Sequence, residues 1–252
     1  MTDHPTTISA VASDATGLAF LLKSGTQDLH DEAEAGDFQK RMVDGRLLRQ
    51  EFIAFLQQVW HVHGAIEPML RDAARAESRL DSMLEESHFR VRKIEHDLSD
   101  LGAAPCERRL PSTERFIAAV RGHAESNPLA LVGVLYVKEG ATNGNKIVAK
   151  RIREALGLPD AIAMGYLDPH GSEQRRRWTA FKGGLDALEL SDDEKQACVE
   201  AARMTFRLFM DLSAELEASV GDETPSAVAP GPEVVVREDH ADAASGCPFH
   251  RS

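Results

Sequence analysis

The sequence predicts an all-α protein in which about seven helices pack around one core as a single domain. Apolar residues recur three and four positions apart through most of the 252-residue chain, which is the period of one helix face. No segment of this body alternates apolar and polar residues as a half-buried strand would, and Val234–Val236, which has strand composition, stands alone. Glycine, proline and capping residues divide the periodic stretches into helices.

The first predicted helix begins near residue 16 and ends at Gly36. Leu18, Leu22 and Leu29 share one of its faces, and the glycine is a plausible stop. Residues 1–15 are rich in threonine, serine and aspartate, and we expect them to form a flexible arm.

The second predicted helix covers about residues 48–75. Its inward stripe consists of Phe52, Phe55, Leu56, Val59, Trp60, His63 and Ile66. Pro68 is expected to kink this helix or to end its regular part, because proline lacks a backbone N–H. A third helix is predicted over about residues 85–98, and residues 100–111 read as a connection.

Four more helices are predicted over about residues 112–124, 127–156, 172–188 and 191–220. The fifth contains Gly133, Gly140 and Gly144. Each glycine inside a helix costs about 1 kcal/mol relative to alanine, so three of them suggest a kink or a close backbone approach. Ser191 and the acidic residues after it cap the last helix. Residues 221–252 are rich in proline, alanine and acidic residues and are expected to be disordered.

The composition excludes several classes of function. A net charge of −12 argues against general nucleic-acid binding and against adsorption to anionic membranes. Three widely separated cysteines form no disulfide framework, which fits a reducing compartment. The longest apolar run, Leu129–Val137, is too short to span a membrane, and no secretory signal is recognisable, so a cytoplasmic protein is expected.

His30 and Glu34 are the first candidates for chemistry. They lie four residues apart on the first predicted helix, so their side chains share a face. A neutral imidazole there could bind a metal through one ring nitrogen, and a carboxylate one turn on could tune its basicity. An ordinary surface pair has the same spacing and is the commoner interpretation of spacing alone.

A second histidine–glutamate pair, His63 and Glu67, follows Trp60 and His61 on the second predicted helix. Two such pairs could build a dinuclear metal site, but bundle sites of that type also take ligands from a third and a fourth helix. The last predicted helix offers acidic residues and no histidine. Core packing of Trp60 and His63 is therefore the favoured interpretation.

The glycine-bearing stretch from Glu139 to Asn145 is a third candidate. Gly140 and Gly144 are four residues apart, so one helix face lacks side chains over a full turn. Either a flat ligand or a neighbouring helix could lie against that backbone, and the two interpretations carry similar weight. The stretch is not a phosphate loop, because it lacks the G-x-x-x-x-G-K-[ST] spacing and follows no strand.

Cationic residues form the fourth candidate. Lys23 lies two turns before His30. The sixth predicted helix carries three consecutive arginines, at 175–177, and Lys182. Such residues could hold an anionic ligand through charge-assisted hydrogen bonds. At least two of the three arginines are expected to lie on a solvated helix face instead.

Together these residues resemble the haem oxygenase family over roughly residues 19–220. The most specific part is KSGTQDLHDEAE from Lys23 to Glu34, which matches the family's proximal histidine segment at the lysine, the histidine and the glutamate. WHVHGAIE from Trp60 is similar to the family's second helix. LYVKEG and the residues on to Gly144 resemble its distal helix, and the region of Lys182 its propionate-binding helix.

The resemblance implies that haem b is both cofactor and substrate, bound between the first helix and a kinked distal helix. His30 would be the iron ligand. Lys23, Glu34, Lys182 and Arg177 would contact or support the cofactor, and Gly140, Gly144 and Asn143 would form the catalytic cover. The ring would be opened at a meso carbon to give biliverdin, carbon monoxide and iron. Electrons would come from an external reductase of ferredoxin, flavodoxin or NADPH-reductase type, because the chain shows no flavin or nicotinamide fingerprint.

One position departs from the family pattern. Many members carry an aspartate directly after the first distal glycine, where this chain has Ala141; Thr142 or Asn143 is a candidate for holding water instead. In the tail, Cys247-Pro248 resembles a haem regulatory motif. Two other functions therefore stay open: a haem-binding sensor or carrier without turnover, and a non-haem diiron oxidase of the same superfamily.

Overall fold

A computed structural model describes residues 17–159, 162 and 164–221. The predicted arm at residues 1–15 lies outside the described residues, and so do the predicted tail beyond Gly221 and its Cys247. Within the described part the structure contains helices and no strand, so the predicted fold class is confirmed.

Nine α-helices are present in the described residues. They are α1 (Leu18–Ala35), α2 (Asp37–Val43), α3 (Arg49–Ala76), α4 (Ser78–Asp81), α5 (Val91–Asp100), α6 (Pro111–Ser126), α7 (Leu131–Ala155), α8 (Gln174–Ala187) and α9 (Asp192–Gly221). Short 3-10 turns lie at Glu86–His88, Pro128–Ala130 and Gly171–Glu173. The seven predicted helices are all found, and the two additional ones, α2 and α4, are too short to show a clear helical period.

Local signals placed the helix ends well. At the start of α9 the Ser191 hydroxyl accepts a hydrogen bond from the Glu194 backbone N–H at 3.3 Å, and the Glu194 carboxylate accepts one from the Ser191 N–H at 2.8 Å. This reciprocal pair is a capping box. By contrast, α3 continues through Pro68, so an end of the helix at that residue is ruled out. The apolar stripe of α3 is buried on both sides of the proline, and its packing outweighs one lost backbone hydrogen bond.

The long helices α7 and α9 pack very closely at Gly133. A β-carbon at this position would lie 1.9 Å from the carbonyl oxygen of Cys198, so only glycine fits. Of the two explanations for the glycines of this helix, close helix packing therefore applies to Gly133.

Helices α1 and α7 form two walls that are both packed against α8 and α9. The core beneath them is apolar and includes Leu22, Val62, Phe116 and Leu135. No helix among the described residues is long and apolar enough to cross a membrane.

Candidate functional site

His30 lies on the exposed edge of α1, next to the core. Leu22, Thr26 and Leu29 are buried on the same helix, whereas the His30 side chain is 51% exposed. Its Nδ1 atom lies 3.7 Å from a carboxylate oxygen of Glu34 and 3.9 Å from one of Asp31. Within the described residues no hydrogen bond to Nε2 is formed, so that nitrogen is available to a ligand.

Helix α9 fixes the position of α1 beside this histidine. The guanidinium of Arg203 makes two hydrogen bonds, each 2.7 Å, to the carboxylate of Asp28, and it also donates to the Gly25 carbonyl. The Phe206 ring, one turn further along α9, meets the His30 ring edge-on at a centroid distance of 6.0 Å. His30 is therefore backed by an aromatic ring on one side and open on the other.

The opposite wall, α7, presents backbone rather than side chains. Gly140 is half-buried and Gly144 exposed, and a β-carbon at 144 would meet nothing within 4 Å. Ile147 continues the same face one turn later with 60% of its surface exposed, which is unusual for isoleucine. This surface, which we call the glycine face (Gly140, Gly144 and Ile147), is flat and apolar and has space in front of it.

Burial raises the pKa of Tyr136 on α7, and the nearby side chain of Thr26 on α1 opposes that rise, so the two walls come close together here. Thr26 lies one turn before His30 on α1, and Tyr136 lies one turn before Gly140 on α7, each about 6 Å along its helix axis. The walls therefore approach each other next to the exposed histidine and next to the glycine face. Trp178 of α8 packs on the Tyr136 ring at 5.7 Å, and its Cη2 atom lies 3.5 Å from where a Gly140 β-carbon would be.

Asn143 is held at the edge of the glycine face. Its Nδ2 donates to the Gly140 carbonyl at 2.9 Å, and its Oδ1 accepts from Nε2 of Gln174 at 3.2 Å. Ala141 is exposed and brings no polar group. The polar atoms at this edge therefore belong to Asn143 and to the residues that hold it.

The predicted cationic residues are dispersed. Lys23 is exposed on α1, and Lys182 is exposed on α8 with its Nζ 5.9 Å from the Trp178 ring centroid. The guanidinium of Arg177 is already engaged, by Glu85 at 2.9 Å and by the hydroxyl of Ser87 at 3.1 Å. The neighbouring arginines 175 and 176 are exposed, as expected for a solvated helix face.

A buried ionic cluster surrounds Glu139 of α7. It consists of His63, Glu67, Arg90, Lys138, Glu139 and His170. The Glu139 carboxylate accepts from Arg90 at 3.0 and 3.1 Å and from Lys138 at 2.7 Å, and His170 Nε2 lies 3.3 Å away. Burial opposes ionisation of Glu139, but these cations and the His170 hydrogen bond outweigh it and hold the pKa of the carboxyl far below its usual range.

The His63–Glu67 pair belongs to this cluster rather than to a metal centre. His63 Nδ1 lies 2.9 Å from the Glu67 carboxylate, which also accepts the backbone N–H of Arg90 and Val91. Burial and the charges of nearby cations lower the pKa of His63 to about 4. Within the described residues no group of three or more histidine, cysteine or acidic side chains could hold a metal ion. The core-packing interpretation of His63 therefore fits the structure.

Sequence reasoning missed Phe206 and Gln174, and it included Tyr136 and Glu139 only as members of the distal segment, without a role for either. Tyr136 carried a usable signal, because it stands one turn before Gly140 and so shares the glycine face. Phe206 and Gln174 reach the region only through contacts between helices that are distant in sequence, and no local pattern reports those. Glu139 directly precedes Gly140, but its partners Arg90 and His170 come from distant segments.

Comparison with known proteins gives a consistent result. A family model described as heme oxygenase matches residues 16–215. Heme oxygenase 1 of Homo sapiens is 23% identical over 225 residues, which is 85% of this chain and 77% of that protein. The solved structure of heme oxygenase from Leptospira interrogans has a TM-score of 0.74 at 24% identity, covering 79% of this chain and 99% of that one. Heme oxygenase-2 from Synechocystis sp., solved with heme and NO, has a TM-score of 0.75 at 23% identity, covering 81% and 87%. At sequence identities of 23% and 24%, the similarity to these two solved structures establishes the fold.

Proposed function

The chain belongs to the haem oxygenase family, and on that premise we propose that it binds haem b between α1 and α7 and opens the ring to biliverdin, carbon monoxide and iron. The observation that carries the proposal is a pair of walls that both pack on α8 and α9: one bears the exposed His30 and the other the glycine face. The proposed domain is the helical body at residues 16–220.

The residues present fit a porphyrin. A flat, largely apolar ligand would cover Ile147 and the open space before Gly144, which otherwise leave apolar surface in water. The Nε2 atom of His30 would supply a nitrogen base to the iron. Porphyrin carboxylates need cations near them, and Lys23 on α1 and Lys182 on α8 are both exposed. Arg177 joins them only if it leaves Glu85.

Each wall has a distinct task in the reaction. Bound haem supplies the iron at which oxygen is reduced. Glu34 and Asp31 lie on the Nδ1 side of His30 and favour a proton there, which leaves Nε2 as the ligand atom. The glycine face would bring neither an acid nor a base to a ligand lying against it, because Gly140 and Gly144 have no side chains. Asn143 is the nearest side chain whose polar atoms are fixed at this face.

The axial ligand can be tested by hemin titration of the apo-protein. We expect His30→Ala to weaken hemin binding at least about tenfold, or to change the Soret spectrum, and to abolish haem breakdown. The matched control is His96→Ala on α5, because His96 is also exposed and also lies near a carboxylate four residues on, at 3.8 Å. Unchanged hemin binding, spectrum and turnover in His30→Ala would contradict the assignment.

The opposite wall can be tested by filling its open space. Gly144→Leu places a side chain where no atom lies within 4 Å, so the fold should tolerate it while hemin affinity falls. Gly122→Leu on α6 is the control, because that position is equally open and lies on another helix. Equal hemin affinity in the two variants would show that the ligand does not lie against Gly144.

A haem carrier or sensor is the alternative that Ala141 keeps in consideration, since this position lacks a carboxylate. Supplying oxygen and a chemical reductant to the hemin complex separates the two functions. Loss of the Soret band with release of a bilin supports turnover, and haem that stays intact supports a carrier. We further propose that electrons come from an external reductase and that the protein acts in the cytoplasm; a reductase-dependent rate and cell fractionation test these points.

A further inference from the structure

A small cavity lies between α7, α8 and the 3-10 turn at Glu86–His88, directly behind the glycine face. Its lining residues are Glu85, Ser87, His88, Glu139, His170, Gln174, Arg177, Trp178 and Phe181. Measured for a water-sized sphere, its volume is about 20 Å³, which is room for at least one ordered water. The Trp178 ring lines this cavity and also touches the Gly140 position, so one indole separates the cavity from the glycine face.

Gln174 brings an unpaired polar atom to this cavity. The residue is 9% exposed, and its buried Oε1 has no hydrogen-bond partner. Its Nε2 donates to the hydroxyl of Thr142 at 2.7 Å and to Oδ1 of Asn143 at 3.2 Å. A buried acceptor without a partner costs about 1–3 kcal/mol, so a ligand that donates hydrogen bonds is needed here.

The orientation of the Gln174 amide follows from its neighbours. Thr142 uses its hydroxyl proton on the Glu139 carbonyl at 2.6 Å, and Asn143 uses Nδ2 on the Gly140 carbonyl. Both residues therefore offer oxygen acceptors to Gln174, which must turn its nitrogen toward them. Its oxygen is left for the cavity, where Glu139 and His170 provide further polar atoms.

We propose that Gln174 is a positioning residue that binds an ordered water in this cavity through Oε1 and, through Nε2, fixes the amide of Asn143 at the glycine face. The water lies between the Gln174 oxygen and the polar atoms of Glu139 and His170. Asn143 then holds one orientation beside the ligand, at the edge where Ala141 brings no polar group. The role in haem breakdown rests on the proposed function, whereas the water and the Asn143 orientation do not.

Crystal structures of the apo-protein test the parts that need no haem. In the wild type we expect a water within hydrogen-bond distance of Gln174 Oε1 and a single Asn143 rotamer. In Gln174→Leu both should be lost. A wild-type map that shows other buried waters and none in this cavity would overturn the water site, and an unchanged Asn143 in the variant would overturn the positioning role.

Hemin binding and turnover test the functional part. We expect Gln174→Leu to leave hemin affinity within about threefold of wild type and to lower the rate of ring opening about tenfold. Adding Asn143→Ala to Gln174→Leu should lower that rate little further, because both substitutions remove the same interaction, the one between Gln174 and Asn143. Gln196→Leu, an exposed glutamine on α9, is the control and should match wild type. A fully additive double variant, or a Gln174→Leu rate equal to wild type, would refute the inference. Failure of the wild type to bind hemin would refute the proposed function and leave the crystallographic results standing.

Discussion

Glu139 is the residue whose removal should destabilise the protein most informatively. Its carboxylate joins Arg90, Lys138 and His170 in the buried ionic cluster, and the Glu139, Arg90 and Lys138 side chains are 6%, 2% and 7% exposed. Glu139→Gln keeps the shape of the side chain and removes its charge. Two buried cations then lose the carboxylate that they share.

The magnitude follows from burial and from what remains. Removing one partner of a buried ion pair costs about 3–5 kcal/mol. Lys138 can reduce this cost, because burial already lowers its pKa to about 8. Glu139 itself raises that pKa, so without its charge the release of the Lys138 proton near neutral pH costs at most about 1.4 kcal/mol. Arg90 cannot release its proton, and the Glu67 carboxylate contacts its backbone N–H rather than its guanidinium. We expect a loss of about 3 kcal/mol in unfolding free energy, or about 6–12 °C in Tm.

Urea unfolding of the apo-protein near neutral pH, followed by circular dichroism, measures this loss. Glu154→Gln on the same helix is the control, because Glu154 is exposed and its pair with Lys150 is a loose surface contact of 3.7 Å. This substitution should change the unfolding free energy by less than about 0.5 kcal/mol. Combining Glu139→Gln with Lys138→Met should recover part of the loss by removing one unpaired cation. A loss below about 1 kcal/mol in Glu139→Gln, or no recovery in the double variant, would refute the reasoning.

Three further outcomes are expected. Gly133→Ala places a β-carbon against the Cys198 carbonyl and should lower the unfolding free energy by about 2 kcal/mol or more, while Gly183→Ala, with nothing within 4 Å, should be neutral or stabilising in the same urea assay. Burial lowers the pKa of His63 to about 4, so the unfolded chain binds the proton first as pH falls below about 6.5. Stability should then fall by up to about 3 kcal/mol between these pH values, and His63→Asn should flatten that part of the pH profile; an unchanged slope would contradict the shift. A chain ending at Gly221 should break down haem like the full chain, because the family match ends at residue 215; a hemin turnover assay on the truncated protein decides this.

Much of the helical architecture could be predicted because its signals are local. The capping box at Ser191 and the apolar period of α1 involve residues within four positions of each other, and each matches the structure. Pro68 shows where local reasoning fails. Proline inside a helical pattern can mark the end of the helix, but α3 continues through Pro68 because its apolar stripe is buried on both sides of that residue. The short α2 and α4 escaped prediction because four or seven residues cannot display a period.

The sequence by itself determined which residues could form the two walls: His30 and Glu34 on one helix, and Gly140 and Gly144 on another. Their spacing is a property of the helix, so no tertiary contact is needed to see it. Only the tertiary structure decided what each glycine does, since Gly133 meets the α9 backbone while Gly144 faces open space.

The tertiary structure alone also decided which distant residues meet. Thr26 and Tyr136 lie close together where the two walls approach, and Gln174 reaches Asn143 from α8. Glu139 lies among charges that include Arg90 and His170, brought from two other parts of the chain. The physical reason is that such contacts depend on how helices pack around a shared core, and hydrophobic periodicity specifies which face of a helix is buried without specifying which partner covers it.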